Sequence, residues 1–387
     1  MSDENTTKAI RARQVFDGQH WHDDAAVLVA GEHVLGLCSL ADIPGDAEAT
    51  ECVEMLAPGF IDVQVNGGGG VLLNASPTPD GLKTIVAGHR ATGTTGMMPT
   101  VVSDSRDVAE AAVSAVRRVR AEGELSVLGI HLEGPYLAPE KRGVHAASKL
   151  RPLDEDDLNW LISLKDLRVL LTVAPEVVSA EQIARLTPAG IIVSGGHSQA
   201  SFETARGAID AGLTGFTHLF NAMPAVSARE PGILSAALTD RETWAGIIAD
   251  GHHVHPANIR LAVAGKSPDR IMLVSDAMPT VGAENPSFQL YRETITVENG
   301  RLVNSEGKLA GSAIGMSEAV AYSHRTVGIE LADCLRMAST NPARFLGMDD
   351  QLGRLAPGYR ADLVALDHDL AVSASWVAGR QVYRRGD

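Results

Sequence analysis

The chain has 387 residues, long for one ordinary domain and short for three. Hydrophobic residues make up 45% and aromatics only 4%, so an ample core must be built from Ala, Val, Leu and Ile. The net charge of −15 (33 − 48) offers no basic footprint, which excludes nucleic acid and an anionic membrane surface as expected partners.

The N-terminal region reads as β-rich. Lys8–Phe16, Ala25–Ala30, His33–Cys38 and Glu51–Leu56 are short alternating or apolar runs, with turns supplied by Asp17-Gly18 and Gly31-Glu32. After Ala57-Pro58-Gly59 the period changes, and strand-like and helix-like stretches alternate. Phe60–Val65 is the first strand and Pro79–Thr92 its helix, followed by Thr94–Pro99 with Asp104–Glu122 and by Val127–Leu132 with Asp154–Leu164. Arg168–Ala174 precedes the helix Ala180–Leu186, Ile191–Ser194 precedes Phe202–Ala211, and Thr214–Thr217 precedes Gly232–Thr239. Trp244–Ala249 is followed by Pro256–Ala264, a helix with Pro at its first turn. Arg270–Ser275 is the eighth strand, and Ser317–Thr326 and Leu331–Leu346 are the closing helices. Between them lies an insertion, Pro279–Ser312, with a hairpin of Glu293–Val297 and Arg301–Val303 turned by Asn299-Gly300. The tail returns to β in Ala361–Leu366, Ser375–Val377 and Arg380–Tyr383.

Eight such alternations give an α/β fold, a (β/α)8 TIM-type barrel. Residues 58–350 are assigned to it. Residues 1–57 and 351–387 are expected to join as a small β-sandwich domain.

Four strands end in chemistry-bearing residues. The apolar run Ser126–Ile130 leads into His131-Leu132-Glu133-Gly134-Pro135, where the Gly-Pro pair opens a loop. Ile191–Ser194 runs into Gly195-Gly196-His197, Gly215–Thr217 into His218, and Ile271–Ser275 into Asp276. In a β/α barrel these ends form the catalytic face. Any one of them alone reads as a cap or a hydrogen-bonded structural residue; four at one end do not. Glu133, His197 and His218 suit zinc or a neighbouring divalent metal, and Asp276 is a spare acid, the minimum kit for metal-assisted hydrolysis. Gly67–Gly70 reads as a flexible strand-end loop rather than a phosphate cradle. His255, just before Pro256, reads as a residue at the helix start. Cys38, Cys52 and Cys334 form no C-x-x-C pair, which implies reduced thiols and a cytoplasmic location. With neither a signal stretch nor an apolar run of about 18 residues, a soluble, unexported protein is expected.

At these positions the sequence resembles the amidohydrolase superfamily and, more narrowly, the N-acetylglucosamine-6-phosphate deacetylases. The resemblance runs over nearly the whole chain, from the N-terminal sheet through Pro58-Gly59-Phe60-Ile61-Asp62 to Ala356-Pro357-Gly358-Tyr359-Arg360-Ala361-Asp362. It rests on His131–Tyr136, Gly196-His197-Ser198, Thr217-His218-Leu219-Phe220-Asn221-Ala222-Met223, Arg229–Gly232, Asp250–His253 and Ser275-Asp276-Ala277. It implies that Glu133, His197 and His218 bind metal and that Asp276 is the general acid/base. It implies that His145 orients the substrate, that Asn221, Ala222, Arg229 and His253 hold a sugar phosphate, and that Leu309, Ala310 and Gly311 close over the sugar. Between His252 and His253 the residues themselves give no preference; the resemblance selects His253.

The first strand departs from the wider superfamily. Where a His-x-His pair usually holds a second metal, this chain has Gln64 and Asn66, neutral amides that are poor zinc ligands. They are read as vestigial second-metal positions, leaving one divalent ion per chain, Zn2+ ahead of Fe2+, Co2+ or Mn2+. The resemblance also implies a homodimer or higher oligomer, because part of the family's phosphate clamp crosses a dimer interface. The expected reaction is hydrolysis of N-acetyl-D-glucosamine 6-phosphate to D-glucosamine 6-phosphate and acetate, in amino-sugar catabolism. The alternatives are the galactosamine epimer or another amide of the superfamily. A metal-free sugar-phosphate sensor is disfavoured by the retained Glu133, His197, His218 and Asp276.

Overall fold

The structure is a computed structural model that describes residues 6–305 and 307–386. Eight strands form one sheet in chain order: β1 (Phe60–Val65), β2 (Thr94–Val102), β3 (Ile130–Glu133), β4 (Val169–Val173), β5 (Ile191–Gly195), β6 (Gly215–Phe216), β7 (Trp244–Ile248) and β8 (Ile271–Val274). From β2 to β8 each neighbouring pair is parallel. The circle closes where Val65 bridges Ala277 in parallel and the Asp276 N–H donates to Gln64 O at 3.0 Å. Every residue of β1, β2, β4 and β7 is buried, as expected where a parallel sheet is covered on both faces. The (β/α)8 barrel read from the alternation is the barrel observed.

Seven helices follow the first seven strands: α1 (Pro79–Arg90), α2 (Arg106–Ala121), α3 (Glu155–Ser163), α4 (Ala180–Leu186), α5 (Phe202–Asp210), α6 (Gly232–Thr239) and α7 (Pro256–Lys266). Three of these helices, α3, α4 and α5, start at short polar side chains that satisfy free amide groups. Asp154, Ser179 and Ser201 accept from backbone N–H groups three residues on, and Ser179 forms a full capping box with Gln182. His255 caps α7, its Nδ1 accepting from Ala257 N–H at 3.2 Å, in line with its place before Pro256. None of the helices among the described residues is long and apolar enough to cross a membrane.

Both ends of the chain build a separate, mainly antiparallel sheet. Its order is Arg380–Arg384, Val372–Val377, Leu363–Leu366, Val53–Pro58, Lys8–Phe16, Trp21–Ala30 and His33–Ser39, with Glu48–Ala49 on Lys8–Ala9. The termini meet where Leu363–Leu366 runs antiparallel to Val53–Pro58. Val34 near one edge and Trp376 near the other share a single apolar cluster with Ile10, Val27, Leu56 and Leu363, so the sheet curls around its own core. By packing, the chain divides into two compact units. One holds the residues up to Asp62, His89–Gly96 and those from Gly315 onward; the other holds Val63–Gly88 and Met97–Ile314.

Three local features differ from the sequence reading. The insertion has three strands, β9 (Ser287–Leu290), β10 (Glu293–Glu298) and β11 (Arg301–Val303); the first has four residues, too few for the alternation of Phe288 and Leu290 to stand out in the sequence. The closing Leu331–Leu346 stretch is two helices, Leu331–Ala338 and Thr340–Phe345, separated at Ser339. Pro342 explains the break, since its ring would meet the carbonyl of Ala338 in a continuous helix. The glycine run is ordered rather than flexible. Gly67–Gly68 pairs with Val71–Leu72, and the Gly69 and Gly70 amides donate to Val281 O and Pro279 O, each at 2.8 Å. A Cβ on Gly67 would lie 2.4 Å from Val71 O, so the tight return there demands glycine.

One buried cation supports the barrel wall. Lys266, fully buried at the end of α7, places Nζ 2.8 Å from Ala237 O, 2.7 Å from Asp240 O and 3.0 Å from Thr243 Oγ1. Two of these are carbonyls at the C-terminal end of α6, which have no partner within that helix. Burial draws the Lys266 amine down to about 8. Lys266→Met fills similar volume but strands three acceptors, and is expected to cost about 2–4 kcal/mol. Thermal or denaturant unfolding of the variant against wild type measures this; an unchanged midpoint would show that Nζ contributes nothing net.

Candidate active site

Parallel strands deliver side chains to one end of the barrel, and four strand ends meet there. Glu133 is the last residue of β3, His197 lies two residues beyond β5, and His218 and Asp276 each lie two residues beyond β6 and β8. His197, His218 and Asp276 all adopt left-handed backbone, with φ of 48°, 31° and 52°. Non-glycine residues rarely take this conformation, and where they do it is commonly at functional sites. Here it turns the chain sharply as each strand ends.

Glu133, His197 and His218 are buried, and their ligand atoms converge. His218 Nε2 stands 2.9 Å from His197 Nε2 and 3.0 Å from Glu133 Oε1, and His197 Nε2 is 3.3 Å from the same oxygen. For ligand bonds of about 2.1 Å at tetrahedral angles, neighbouring donor atoms stand ~3.4 Å apart, so these residues fit one shared cation. The tautomer of His197 agrees. Its Nδ1 lies 2.8 Å from Lys141 O, which can only accept, so Nδ1 carries the proton and Nε2 presents a lone pair. Burial alone would raise the Glu133 carboxyl, but the adjoining His197 and His218 imidazoles outweigh it and hold Glu133 well below the ordinary range. Burial opposes the charged form of His218, yet Glu133 raises it.

Asp276 is held by the two amides of β1. Asn66 Nδ2 donates to its Oδ1 at 2.6 Å and Gln64 Nε2 at 3.1 Å, and Gln64 Nε2 also reaches Glu133 Oε1 at 2.9 Å. Desolvation and then the negative charge of Glu133 push Asp276 up to about 6. Gln64 and Asn66 therefore act in this structure as hydrogen-bond donors between two carboxylates.

These residues face a cavity of about 190 Å3. His145, Asn221, Ala222, His253, Leu309 and Gly311 line it together with Asp276 and the Glu-His-His trio. His253 Nδ1 lies 2.6 Å from Asp250 Oδ2, which fixes its ring. Ala310 is buried behind the lining, in an apolar cluster with Met278 and Val102. Arg229 is exposed and does not line the cavity. His145 is buried, and burial lowers it to about 3, so its imidazole is neutral.

Beneath the cavity a buried polar ladder ties the strands together. His131 Nδ1 is 3.0 Å from Val63 O and must donate to it, so Nε2 accepts from Thr172 Oγ1 at 2.8 Å. Thr172 Oγ1 lies 2.6 Å from Thr217 Oγ1, and Thr217 Oγ1 2.8 Å from Ser194 Oγ. Ser103, just past β2, was not singled out from the sequence. It closes a strand as the four others do, and that position was the available signal. Its N–H donates to His145 Nδ1 at 3.2 Å.

The family model described as Amidohydrolase family matches residues 55–382. The chain belongs to the amidohydrolase family. This amidohydrolase is 44% identical over 331 residues to an N-acetylgalactosamine-6-phosphate deacetylase of Shewanella sp. (strain ANA-3), covering 85% of this chain and 83% of the relative. An N-acetylgalactosamine-6-phosphate deacetylase of Escherichia coli O157:H7 is 35% identical, covering 97% of this chain and 99% of that protein. The crystal structure of N-acetylglucosamine-6-phosphate deacetylase from Pasteurella multocida superposes with a TM-score of 0.93 at 33% identity, covering 97% of this chain and 99% of that one.

Proposed function

We propose that this amidohydrolase removes the acetyl group of N-acetyl-D-glucosamine 6-phosphate, releasing D-glucosamine 6-phosphate and acetate in amino-sugar catabolism. The observation that carries the reading is the meeting, in one cavity, of the Glu133, His197 and His218 trio, Asp276 and the neutral His145. The names of its relatives and structural neighbour supply the sugar. A second reading, the galactosamine epimer, is favoured by the relatives at 44% and 35% identity, both named for that sugar.

The chain's own residues divide the work. Both amide bonds to Asp276 run to Oδ1, which leaves Oδ2 to exchange a proton. A carboxyl near 6 suits a group that takes a proton from attacking water and returns it to the leaving nitrogen. His145 is oriented to donate to the acetamide oxygen as negative charge develops there. A divalent cation on Glu133, His197 and His218 would supply Lewis acidity, polarising the carbonyl and acidifying water. Zn2+ comes first for two imidazoles and a carboxylate, with Fe2+, Co2+ and Mn2+ sharing the preference. Asn221, Ala222 and His253 line the sugar's cavity, with Leu309, Ala310 and Gly311 forming the loop over it. Arg229, outside that lining, fits a phosphate pocket completed by a second copy of the chain, and the homodimer and the cytoplasmic location belong to the same proposal.

One divalent ion per chain is expected after metal loading, lost in His197→Asn, with no second tightly held ion at Gln64 or Asn66. Elemental analysis with anomalous diffraction counts and locates the ions, and two tight sites would overturn the single-metal reading. Asp276→Asn should keep the fold and the metal yet lose about 10²–10⁴-fold in kcat. Activity within a few-fold of wild type on a variant shown to hold metal would remove Asp276 from the mechanism.

Sugar and phosphate are tested together. Wild type and Arg229→Ala are assayed on the 6-phosphates of N-acetylglucosamine and N-acetylgalactosamine and on the plain sugars. The ratio of kcat/KM between the epimers decides between the two readings. Arg229→Ala should cost about 10- to 100-fold on a phosphorylated sugar and far less on the plain one. Equal losses on both would show that Arg229 does not read the phosphate.

A further inference from the structure

The turn joining β9 to β10 has two residues. Leu290 pairs with Glu293, leaving Tyr291 and Arg292 as the loop. Tyr291 has a φ of +54°, at a turn position that glycine normally takes. A strained backbone is retained where something else requires the side chain. Here the Tyr291 hydroxyl donates to Ser103 O at 2.7 Å. Tyr291 stays 36% exposed, so the strain is not explained by core packing.

Ser103 is buried and is held from both sides. Its carbonyl accepts a hydrogen bond from the Tyr291 hydroxyl, and its N–H donates to His145 Nδ1 at 3.2 Å. Its hydroxyl lies 2.8 Å from His145 Nδ1 and 3.3 Å from Glu133 O. A backbone N–H can only donate, so His145 Nδ1 carries a lone pair and the ring proton sits on Nε2. That nitrogen stands 4.0 Å from Glu133 Oε2, at the cavity. Space for the Ser103 side chain is kept by Gly134, where a Cβ would lie 2.3 Å from Ser103 Oγ.

The hairpin that carries Tyr291 is itself anchored. Leu290, Ile295 and Leu302 share an apolar cluster with Val102, Met278 and Ala310. At the far end of β10 the Asn299-Gly300 turn lies against His252, whose Nε2 would be 3.2 Å from a Cβ on Gly300. The tip holding Ser103 is thus the end of a fixed bar.

We propose that Tyr291 is a positioning residue that acts on His145 through Ser103, fixing the imidazole so that Nε2–H faces the reacting carbonyl. The proposal rests on the deacetylase reading, in which His145 donates to the acetamide oxygen. Tyr291→Phe keeps the ring and loses one hydroxyl. In zinc-loaded enzyme its kcat on the preferred N-acetylhexosamine 6-phosphate should fall roughly 10-fold, with KM changed less than about twofold. In a His145→Asn background the same substitution should cost nothing more, because the group it positions is gone.

A second readout does not depend on turnover. In protein labelled with 15N at histidine, His145 is assigned by the signals missing from His145→Asn. It should show an unprotonated Nδ1 and a protonated Nε2, and both signals should shift or broaden in Tyr291→Phe. Undiminished kcat, equal losses in the two backgrounds, or a proton on Nδ1 in wild type would each overturn the proposal. If wild type deacetylates neither hexosamine phosphate, the deacetylase reading fails by itself. The spectra then decide, and an unperturbed His145 in Tyr291→Phe removes Tyr291 from the positioning role.

Discussion

Two carboxylates face one cavity, and the site depends on keeping them different. Glu133 lies against two imidazoles and is held ionised well below the ordinary carboxylate range. Asp276 answers to desolvation and to Glu133's negative charge, and is pushed the other way. Without a separator such a pair would tend to share one proton and behave as a single group. The amides of Gln64 and Asn66 provide separation without charge. Each donates to Oδ1 of Asp276, and Gln64 also touches Glu133. One carboxylate is left suited to a cation and the other to a proton, the divergence that marks acid/base assignments in a site.

The barrel makes this arrangement cheap to hold. Parallel strands bring their ends to one face, and the polar ladder from His131 through Thr172 and Thr217 to Ser194 locks four of those strands below the cavity. Each member has a partner, so burial of the ladder favours one register of the strands over others. Above it, left-handed residues turn the chain as soon as the strand ends, so His197, His218 and Asp276 stand on rigid supports rather than on mobile loops. The family's chemistry needs such rigidity, because its reacting groups must converge within a fraction of an ångström.

Much of this was legible in the sequence, for physical reasons that also mark where legibility ended. Strand–helix alternation is a property of local period, and α4 and α6 were bounded to the residue. Glu133, His197, His218 and Asp276 announced themselves by closing apolar runs. Gln64 and Asn66 were read against a metal-binding pattern, which says what they cannot ligate but not which carboxylates they touch. Ser103 and Tyr291 are 188 residues apart, and no local pattern reports a hydroxyl meeting a distant carbonyl. The four-residue strand Ser287–Leu290 is defined by its pairing with β10, which is tertiary information. Arg229 was named by resemblance, and a single chain leaves it on the surface.

The seam of the barrel passes through the candidate site. β1 and β8 meet through the Val65–Ala277 bridge and through the amide of Asp276 bonded to the carbonyl of Gln64. The side chains of those same two residues are bonded to each other. The joint between the first and last strands of the cylinder thus carries Asp276, the group proposed to transfer the proton. Whatever parts the seam also displaces Asp276 from the amide that holds it. Any change that tightens the seam is constrained by the spacing the reaction needs, so endurance and turnover draw on one shared set of bonds.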